Sequence, residues 1–502
     1  MAWSGRPEYG IGRGEIAESH IEAPVFAFFT IMCAVALFAV HFLFQNDSVT
    51  IALAVSLLVF GITLVRVEYG LFILLVAMLL SPEVEAGSVG THDERGINLR
   101  YDDILIIVIF LGVVVKHAFE GKALLWRPNP INPGIFAYYS VCLISTLLAL
   151  RISVPAWDRD VAFFVLLKMF EFYLIFFMVG MSITSMKAVE HQLVVFFAVS
   201  LIVCVYGIIS IGTLPRVSAP FEAGGTEPNT LGGYLMIVIC LCLALLLYAP
   251  NARWKWIFLG IASAAFVPFV MTLSRASYIA LFVALVVMGV ASRRGSVLAL
   301  VALVLVVSPF AMPEDVKKRV NDTFIPSGVA INIPGVKEKV TIDKSAYERI
   351  YVWKKARYNL TIWPWFGGGI SWDTVLDGQF ARVIIETGLV GFAAFLFLIW
   401  RVLKTTNEAF RWSRYWVAKG LALGMLATTI GLIAHSFGTI SFLIVRIMEP
   451  FWFLMALRCA AREIALLDHS NRLKAYREAE REAKLGQAGN DMPGGRRVRA
   501  PA

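Results

Sequence analysis

The apolar residues of this chain fall into long blocks separated by short polar stretches. The blocks lie near 24–44, 49–65, 69–80, 104–115, 135–149, 161–181, 193–213, 231–248, 254–272, 277–290, 297–312, 383–400, 417–437 and 440–457. A helix needs about 20 mostly apolar residues to cross a bilayer. The pattern therefore predicts an all-α fold, a polytopic transmembrane bundle of about 11 to 14 spans. Blocks 69–80 and 104–115 are shorter than a full span. They fit either half-helices shielded by neighbours or helices that extend into their flanks. The last two blocks are split by Gly438-Thr439 and can form two helices or one broken segment.

Composition agrees with the blocks. The 502 residues are 58% hydrophobic and only 16% charged, with a mean hydropathy of +0.73. A soluble domain is nearer 45–50% apolar and about 25% charged. This excludes a disordered chain, a coiled coil and an ordinary cytosolic enzyme. Cys33, Cys142, Cys204, Cys240, Cys242 and Cys459 all lie in or beside apolar blocks. They have neither zinc-ligand spacing with histidines nor a disulfide framework, so they read as small buried hydrophobes.

The net charge of +9 is unevenly spread. If residues 1–23 form a cytoplasmic N-terminal segment, alternation of fourteen spans puts Arg66, the 116–127 loop, Lys187, the 253–255 loop, Arg293-Arg294, the 401–414 loop and the tail on the cytoplasmic side. These are the short loops richest in Lys and Arg, as the positive-inside rule requires. The first block is followed by Gln45-Asn46-Asp47 and no small-residue cleavage site, which favours a retained first helix over a removed signal peptide. The transmembrane domain then covers 24–457. Residues 458–502 form a basic cytoplasmic tail, helical at first and disordered at its end.

One loop breaks the charge pattern. Residues 313–378 fall on the outer side yet are rich in bases, among them Lys317, Lys318, Arg319, Arg349, Lys354 and Arg357. Long loops escape the positive-inside rule. Acids nearly balance these bases, so the loop reads either as solvated mixed charge or as a site for an anionic ligand. Within it, Ser345-Ala-Tyr-Glu348 has the form of a capping box. Ala346, Ile350 and Trp353 then recur at helical spacing, predicting an amphipathic surface helix with that apolar stripe and a basic face. Trp363-Pro-Trp-Phe-Gly-Gly-Gly369 ends the helix in a tight turn. Its glycines can expose backbone N–H groups as a phosphate nest, although a plain turn is the commoner use.

Ionisable residues within the blocks are costly unless paired or functional. Lys168/Glu171, Arg446/Glu449 and Arg382/Glu386 lie three or four residues apart, so each pair can share a helix face. Arg275, in Thr272-Leu-Ser-Arg-Ala276, sits on an outer turn with no acid beside it in sequence. A planar guanidinium there suits a phosphate or a lipid headgroup. Asp102-Asp103 reads as a helix cap and Asp373/Asp377 as a spaced pair; neither is taken as a metal site.

Several of these segments occur in a recognisable order. Glu227-Pro-Asn229-Thr-Leu-Gly-Gly-Tyr-Leu235 opens a span, and Leu273-Ser274-Arg275 joins two later ones. Arg349, Trp353 and Pro364-Trp-Phe-Gly-Gly-Gly369 follow in the outer loop. Asp377 lies nine residues before Glu386-Thr-Gly-Leu-Val-Gly391. This ordered set, spanning 214–453, resembles the O-antigen ligase/O-antigen polymerase superfamily of bacterial membrane glycosyltransferases. The resemblance covers about half the chain. Ligases of that family typically carry His-Asn where this chain has Asp377-Gly378, and an acid there is more like the polymerases. The first spans carry no family motif.

The resemblance implies a GT-C-type enzyme of the bacterial inner membrane, with both termini cytoplasmic and its site facing the periplasm. It implies metal-independent, inverting transfer of a glycan from an undecaprenyl-diphosphate-linked oligosaccharide to an acceptor hydroxyl, with no cofactor. On that reading Arg275, Arg349 and Arg382 face the diphosphate. Asp377 is the candidate base with Glu386 next, and Asn229, Ser274, Gly367 and Gly369 line the substrate cavity. The expected activity is polymerisation of O-antigen or exopolysaccharide repeat units; a ligase acting on lipid A-core is the alternative. The partners implied are the acceptor glycan or lipid A-core, membrane lipids, a flippase and a chain-length regulator, and no nucleic acid. A transporter or flippase of an anionic lipid-linked substrate is the competing class. The chain has no evident repeat of halves, and its bases gather in one outer loop, which favours transfer.

Overall fold

The computed structural model describes residues 47–81, 83–84, 99–120, 128–151, 159–213, 216–220, 227–299, 302–303, 329–331, 340–342, 344–372 and 378–490. The helices are α1 (Asp47–Val65), α2 (Val67–Leu80), α3 (Tyr101–Phe119), α4 (Asn132–Ala149), α5 (Arg159–Ser182), α6 (Met186–Ile209), α7 (Pro228–Tyr248), α8 (Ala252–Met271), α9 (Arg275–Ser292), α10 (Lys344–Ile362), α11 (Gln379–Trp412), α12 (Trp416–His435) and α13 (Val445–Asn490). Two short antiparallel ribbons accompany them, β1 (Glu83–Val84) with β2 (Leu99–Arg100) and β3 (Val329–Ile331) with β4 (Val340–Ile342).

Among the described residues eight helices, α4 to α9 with α11 and α12, are long and apolar enough to cross a membrane, and the chain is a multi-pass membrane protein. The short block 104–115 extends into its flanks to make the 19-residue α3, whereas block 69–80 remains the 14-residue α2. Gly438-Thr439 lies in a turn between α12 and α13, so the last two blocks form separate helices. The expected first span, 24–44, lies outside the described residues, as does most of 297–312. The expected boundary at 457 falls inside α13, a continuous helix of 46 residues and about 69 Å at 1.5 Å per residue.

Helices α7 and α12 form the centre. Of their most apolar stretches, 83% and 78% of residues are buried, against 33% for α8. The outer helices leave Trp256, Phe266, Ile279 and Val290 exposed on the bundle surface, as a lipid solvent permits. Two glycines let the central pair approach. A Cβ at Gly420 would lie 2.7 Å from Leu245 Cδ2, and one at Gly424 would lie 2.7 Å from Leu241 Cδ2 and 3.0 Å from its Cα. Gly420-Leu-Ala-Leu-Gly424 is thus a small-xxx-small contact, in which lost side chain is exchanged for backbone proximity. On the same stripe, a Cβ at Gly431 would meet Met236 Sδ at 2.8 Å and the Ala280 carbonyl at 3.1 Å.

The surface helix of the outer loop forms, but with a different face inward. Val352, Ala356 and Asn359 are buried, and the first two pack on Ala381, Ile384 and Ile385 of α11. Ile350 and Trp353, expected in the apolar stripe, are 41% and 46% exposed. The inward stripe is the one that carries Arg349, three residues before Val352 and seven before Ala356. Lys354 and Arg357 point away from α11 and are exposed.

The central contact has a measurable consequence. Replacing Gly424 with leucine forces side-chain volume against the Leu241 backbone and is expected to destabilise the protein by about 1–3 kcal/mol. Gly260 on α8 has open space around it, so Gly260→Leu is the control and should leave thermal unfolding in detergent nearly unchanged. Equal melting of the two variants would contradict this packing.

Candidate functional site

Helix connectivity brings the starts of α7, α9, α11 and α13 and the ends of α8 and α12 to one end of the bundle. Most of the motif residues gather there. Helix α7 opens with Pro228 at its first position, where a missing N–H costs nothing. The α8–α9 turn passes through Leu273 at φ 51°, and Ser274 then caps α9, accepting from the Ser277 N–H.

From this cap runs a chain of buried hydrogen bonds. Ser274 Oγ donates to Asn229 Oδ1 at 2.7 Å, and Ser277 Oγ donates to Ser274 Oγ at 2.8 Å. Ser277 Oγ also lies 3.0 Å from His435 Nε2, whose other ring nitrogen, Nδ1, is 2.8 Å from Ser441 Oγ. Each hydroxyl has one proton to give, so the donor order assigns the imidazole. With Ser277 donating to Ser274, Nε2–H donates to Ser277, and Nδ1 faces the Ser441 hydroxyl. Ser274, Ser277, His435 and Ser441 are at most 1% exposed. Space for them comes from Gly232 and Gly233: a Cβ at Gly232 would lie 2.2 Å from Ser277 Oγ, and one at Gly233 would lie 3.2 Å from His435 Cε1.

Two arginines border this chain. The Arg349 guanidinium, reaching in from α10, lies 3.5 Å from where a Gly438 Cβ would be, and Ala276 lies 2.9 Å from the same point. Arg275, the residue before Ala276, is half-buried at the first position of α9. The start of α11 joins the group: Gln379 N–H donates to the Ser436 carbonyl at 3.0 Å, and Gln379 Oε1 accepts from Phe442 N–H at 3.1 Å. Asp377 lies outside the described residues; its neighbour Gly378 begins this contact at φ 122°.

The remaining motif residues form a separate clasp. Helix α11 is broken at Gly388, with φ 64° and ψ −162°. The freed backbone pairs with the Trp363–Gly369 turn: Gly368 N–H donates to the Ile385 carbonyl, Gly369 N–H to that of Glu386, Leu389 N–H to that of Pro364 and Val390 N–H to that of Trp365. A Cβ at Gly367 would lie 2.5 Å from the Glu386 carbonyl carbon, and one at Gly388 would lie 2.5 Å from that of Trp365. The glycine run therefore serves close backbone approach. Its amides are occupied by carbonyls, so Gly367 and Gly369 do not form the open phosphate nest that the sequence suggests. Ser145 of α4 pins the clasp through the Phe366 and Glu386 carbonyls.

Arg382 and Glu386 sit inside this clasp. Arg382 Nε donates to Glu386 Oε1 at 2.8 Å, and the same oxygen accepts from Ser371 N–H at 2.9 Å. Glu386 is 2% exposed. The geometry makes it a structural anion holding Arg382 and the Ser371 turn, which departs from its expected place as a second base. Arg382, expected on the diphosphate, already has its counter-charge.

Of the other expected pairs, Lys168 and Glu171 meet at 3.2 Å. Arg446 and Glu449 do not, because Arg446 Nη1 donates to the Pro220 carbonyl. The sequence motifs do not single out His435, Ser277 or Ser441. The legible signal was the Gly232-Gly233 pair, whose missing side chains admit them. Compared with known proteins, the chain matches no protein-family model, and no curated protein matches it.

Breaking a buried ion pair by removing one partner's charge typically costs about 3–5 kcal/mol. Glu386→Gln keeps an acceptor for Ser371 N–H but strands Arg382, so a loss of about that size is expected in equilibrium unfolding. An unchanged stability would return Glu386 to the list of reactive groups.

Proposed function

We propose that this protein transfers a glycan from a polyprenyl-diphosphate donor to an acceptor sugar hydroxyl at the outer face of the membrane, building polysaccharide from lipid-linked repeat units. The observation that carries this reading is the convergence of Asn229, Ser274, Arg275 and Arg349, distant in sequence, on one end of the bundle beside Gly378. These are the segments whose order resembles the O-antigen ligase and polymerase superfamily.

The chemistry gives each residue type a task. An acceptor oxygen attacks the anomeric carbon from the face opposite the lipid diphosphate. The bond to the diphosphate oxygen breaks as the glycosidic bond forms, and the configuration inverts. Negative charge grows on the departing diphosphate, so fixed guanidinium groups aimed there lower the barrier. Arg275 and Arg349 are the two expected cations that stand at the converging end, and Arg382 is committed to Glu386. The acceptor proton needs a base within hydrogen-bond reach. With Glu386 held in the clasp, Asp377 is the remaining candidate, one residue before Gly378 in sequence. The Asn229–Ser274–Ser277–His435 chain fixes the α7 and α9 starts against each other, which holds Arg275 in register.

A second reading has its own support. Buried charges where α3, α5 and α13 meet are what a transporter of a charged substrate uses. One experiment separates the readings: purified protein in vesicles is given an undecaprenyl-diphosphate-linked repeat unit, and products are sized. Longer oligosaccharides on the same lipid support polymerisation, and transfer only to lipid A-core supports a ligase. Movement across the vesicle with no new glycosidic bond would sink both.

Arg275→Ala and Arg349→Ala are each expected to lose about 2–4 kcal/mol of transition-state stabilisation, by analogy with removal of one oxyanion-hole donor. Membrane insertion and detergent elution should be unchanged. Wild-type transfer in either variant removes that arginine from the site.

A further inference from the structure

The transfer chemistry leaves one cluster of buried charge unused. It lies where α2 ends, α3 begins, α5 passes and α13 makes its first turns. Asp102, Asp103 and Glu449 bring carboxylate oxygens within 4.8 Å of one another, and their exposures are 0%, 4% and 0%.

The partners of the first two carboxylates are evident. Asp103 Oδ2 accepts at 2.9 Å from the N–H of Arg100, which is the N-cap of α3; Asp103 stands at the third helical position and not at the cap itself. Its Oδ1 meets Lys168 Nζ, which also lies 3.2 Å from Glu171 Oε2. Asp102 accepts from Ser81 Oγ at 3.1 Å and faces the Arg100 guanidinium at 3.2 Å. That guanidinium also donates to the Met78 carbonyl at 2.9 Å. Glu449 differs: neither of its oxygens has a hydrogen-bond donor among the described residues. Arg446, one turn earlier on α13, is turned to Pro220.

Among the described residues the acids outnumber the bases by two: Asp102, Asp103, Glu171 and Glu449 face Arg100 and Lys168. In a low-dielectric interior, carboxylates this close repel strongly unless a positive species joins them. The free capacity is all oxygen, from carboxylates with a hydroxyl beside them. Such a set suits a hard divalent ion and not zinc or copper.

We propose that Asp102, Asp103 and Glu449 form a buried site for a hard divalent cation such as calcium or magnesium, which clamps the first turn of α13 to the start of α3. Asp102-Asp103 then does more than cap a helix, and the chain is not free of metal as its sequence suggests. The site is built on α3 and α13 and shares no residue with the Arg275 and Arg349 region, so it does not depend on the transfer reading.

The test uses the full chain in nanodiscs, stripped with a chelator and titrated with calcium, magnesium and manganese. Calorimetry is expected to show one saturable equivalent, thermal unfolding should rise with added ion, and bound manganese should change its paramagnetic spectrum. Glu449→Gln keeps the shape and should weaken affinity by more than the roughly 100-fold that loss of a mere supporting group can cost. Asp102→Asn should weaken it likewise. No binding by wild-type protein in the millimolar range overturns the proposal, as does equal affinity in both variants. An infrared band of a protonated carboxyl in wild type, lost in Glu449→Gln and unmoved by calcium, would also overturn it, since protons would then close the charge.

Discussion

Everything at the converging end depends on how closely α12 can lie against α7. Gly420, Gly424 and Gly431 carry that contact. At 100° per residue they fall within about 40° of one another on the helix, and His435 lies about 60° from Gly420. The stripe that removes side chains to bring the helices together is therefore the stripe that ends in the imidazole. Widening the contact would draw His435 away from Ser277 and Gly233 together. In a lipid solvent apolar burial adds little to helix association, so packing and internal hydrogen bonds must do the work. The glycine stripe supplies the first and the serine–histidine chain the second.

Buried charge is handled in two different ways. At Arg382–Glu386 the charges are equal in number, four residues apart on one helix, and bonded also to the backbone at Ser371. That arrangement is closed and rigid, suited to holding a broken helix in shape. At Asp102–Asp103–Glu449 the residues come from two helices, and among the described residues the acids outnumber the bases. A closed pair needs nothing else, whereas an unequal set must recruit a further positive charge. This difference assigns the first a structural task and makes the second a place where the fold can respond to its surroundings.

Much of the bundle was legible in the sequence, because block length and membrane thickness are the same constraint. Blocks 161–181, 231–248 and 417–437 become α5, α7 and α12 with small shifts at their ends. Block 104–115 was too short because α3 starts and ends with charged residues, Asp102 and Lys116, that are partnered. The inward face of α10 was not legible. That helix has apolar residues on both faces, since α11 lies on one side and Ile350, Tyr351 and Trp353 remain exposed on the other. Periodicity alone cannot choose between two apolar surroundings. Arg349 was singled out for its charge, but its direction follows from Val352 and Ala356.

Histidine 435 and glutamate 449 show why a site escapes local reading. His435 meets Ser277 across 158 positions. Glu449 was paired on paper with Arg446, three residues away, since that spacing brings side chains to one face. A shared face permits a contact without requiring it. The Pro220 carbonyl, held beside the start of α13, draws the guanidinium aside. An arginine has five donors in a fixed fork and commonly finds a carbonyl, whereas a carboxylate can only accept. When the arginine turns away, the acid cannot follow it and is left facing Asp102 and Asp103. The guanidinium at this end of α13 thus meets a carbonyl 226 residues earlier in the chain, while Glu449 meets Asp102 and Asp103.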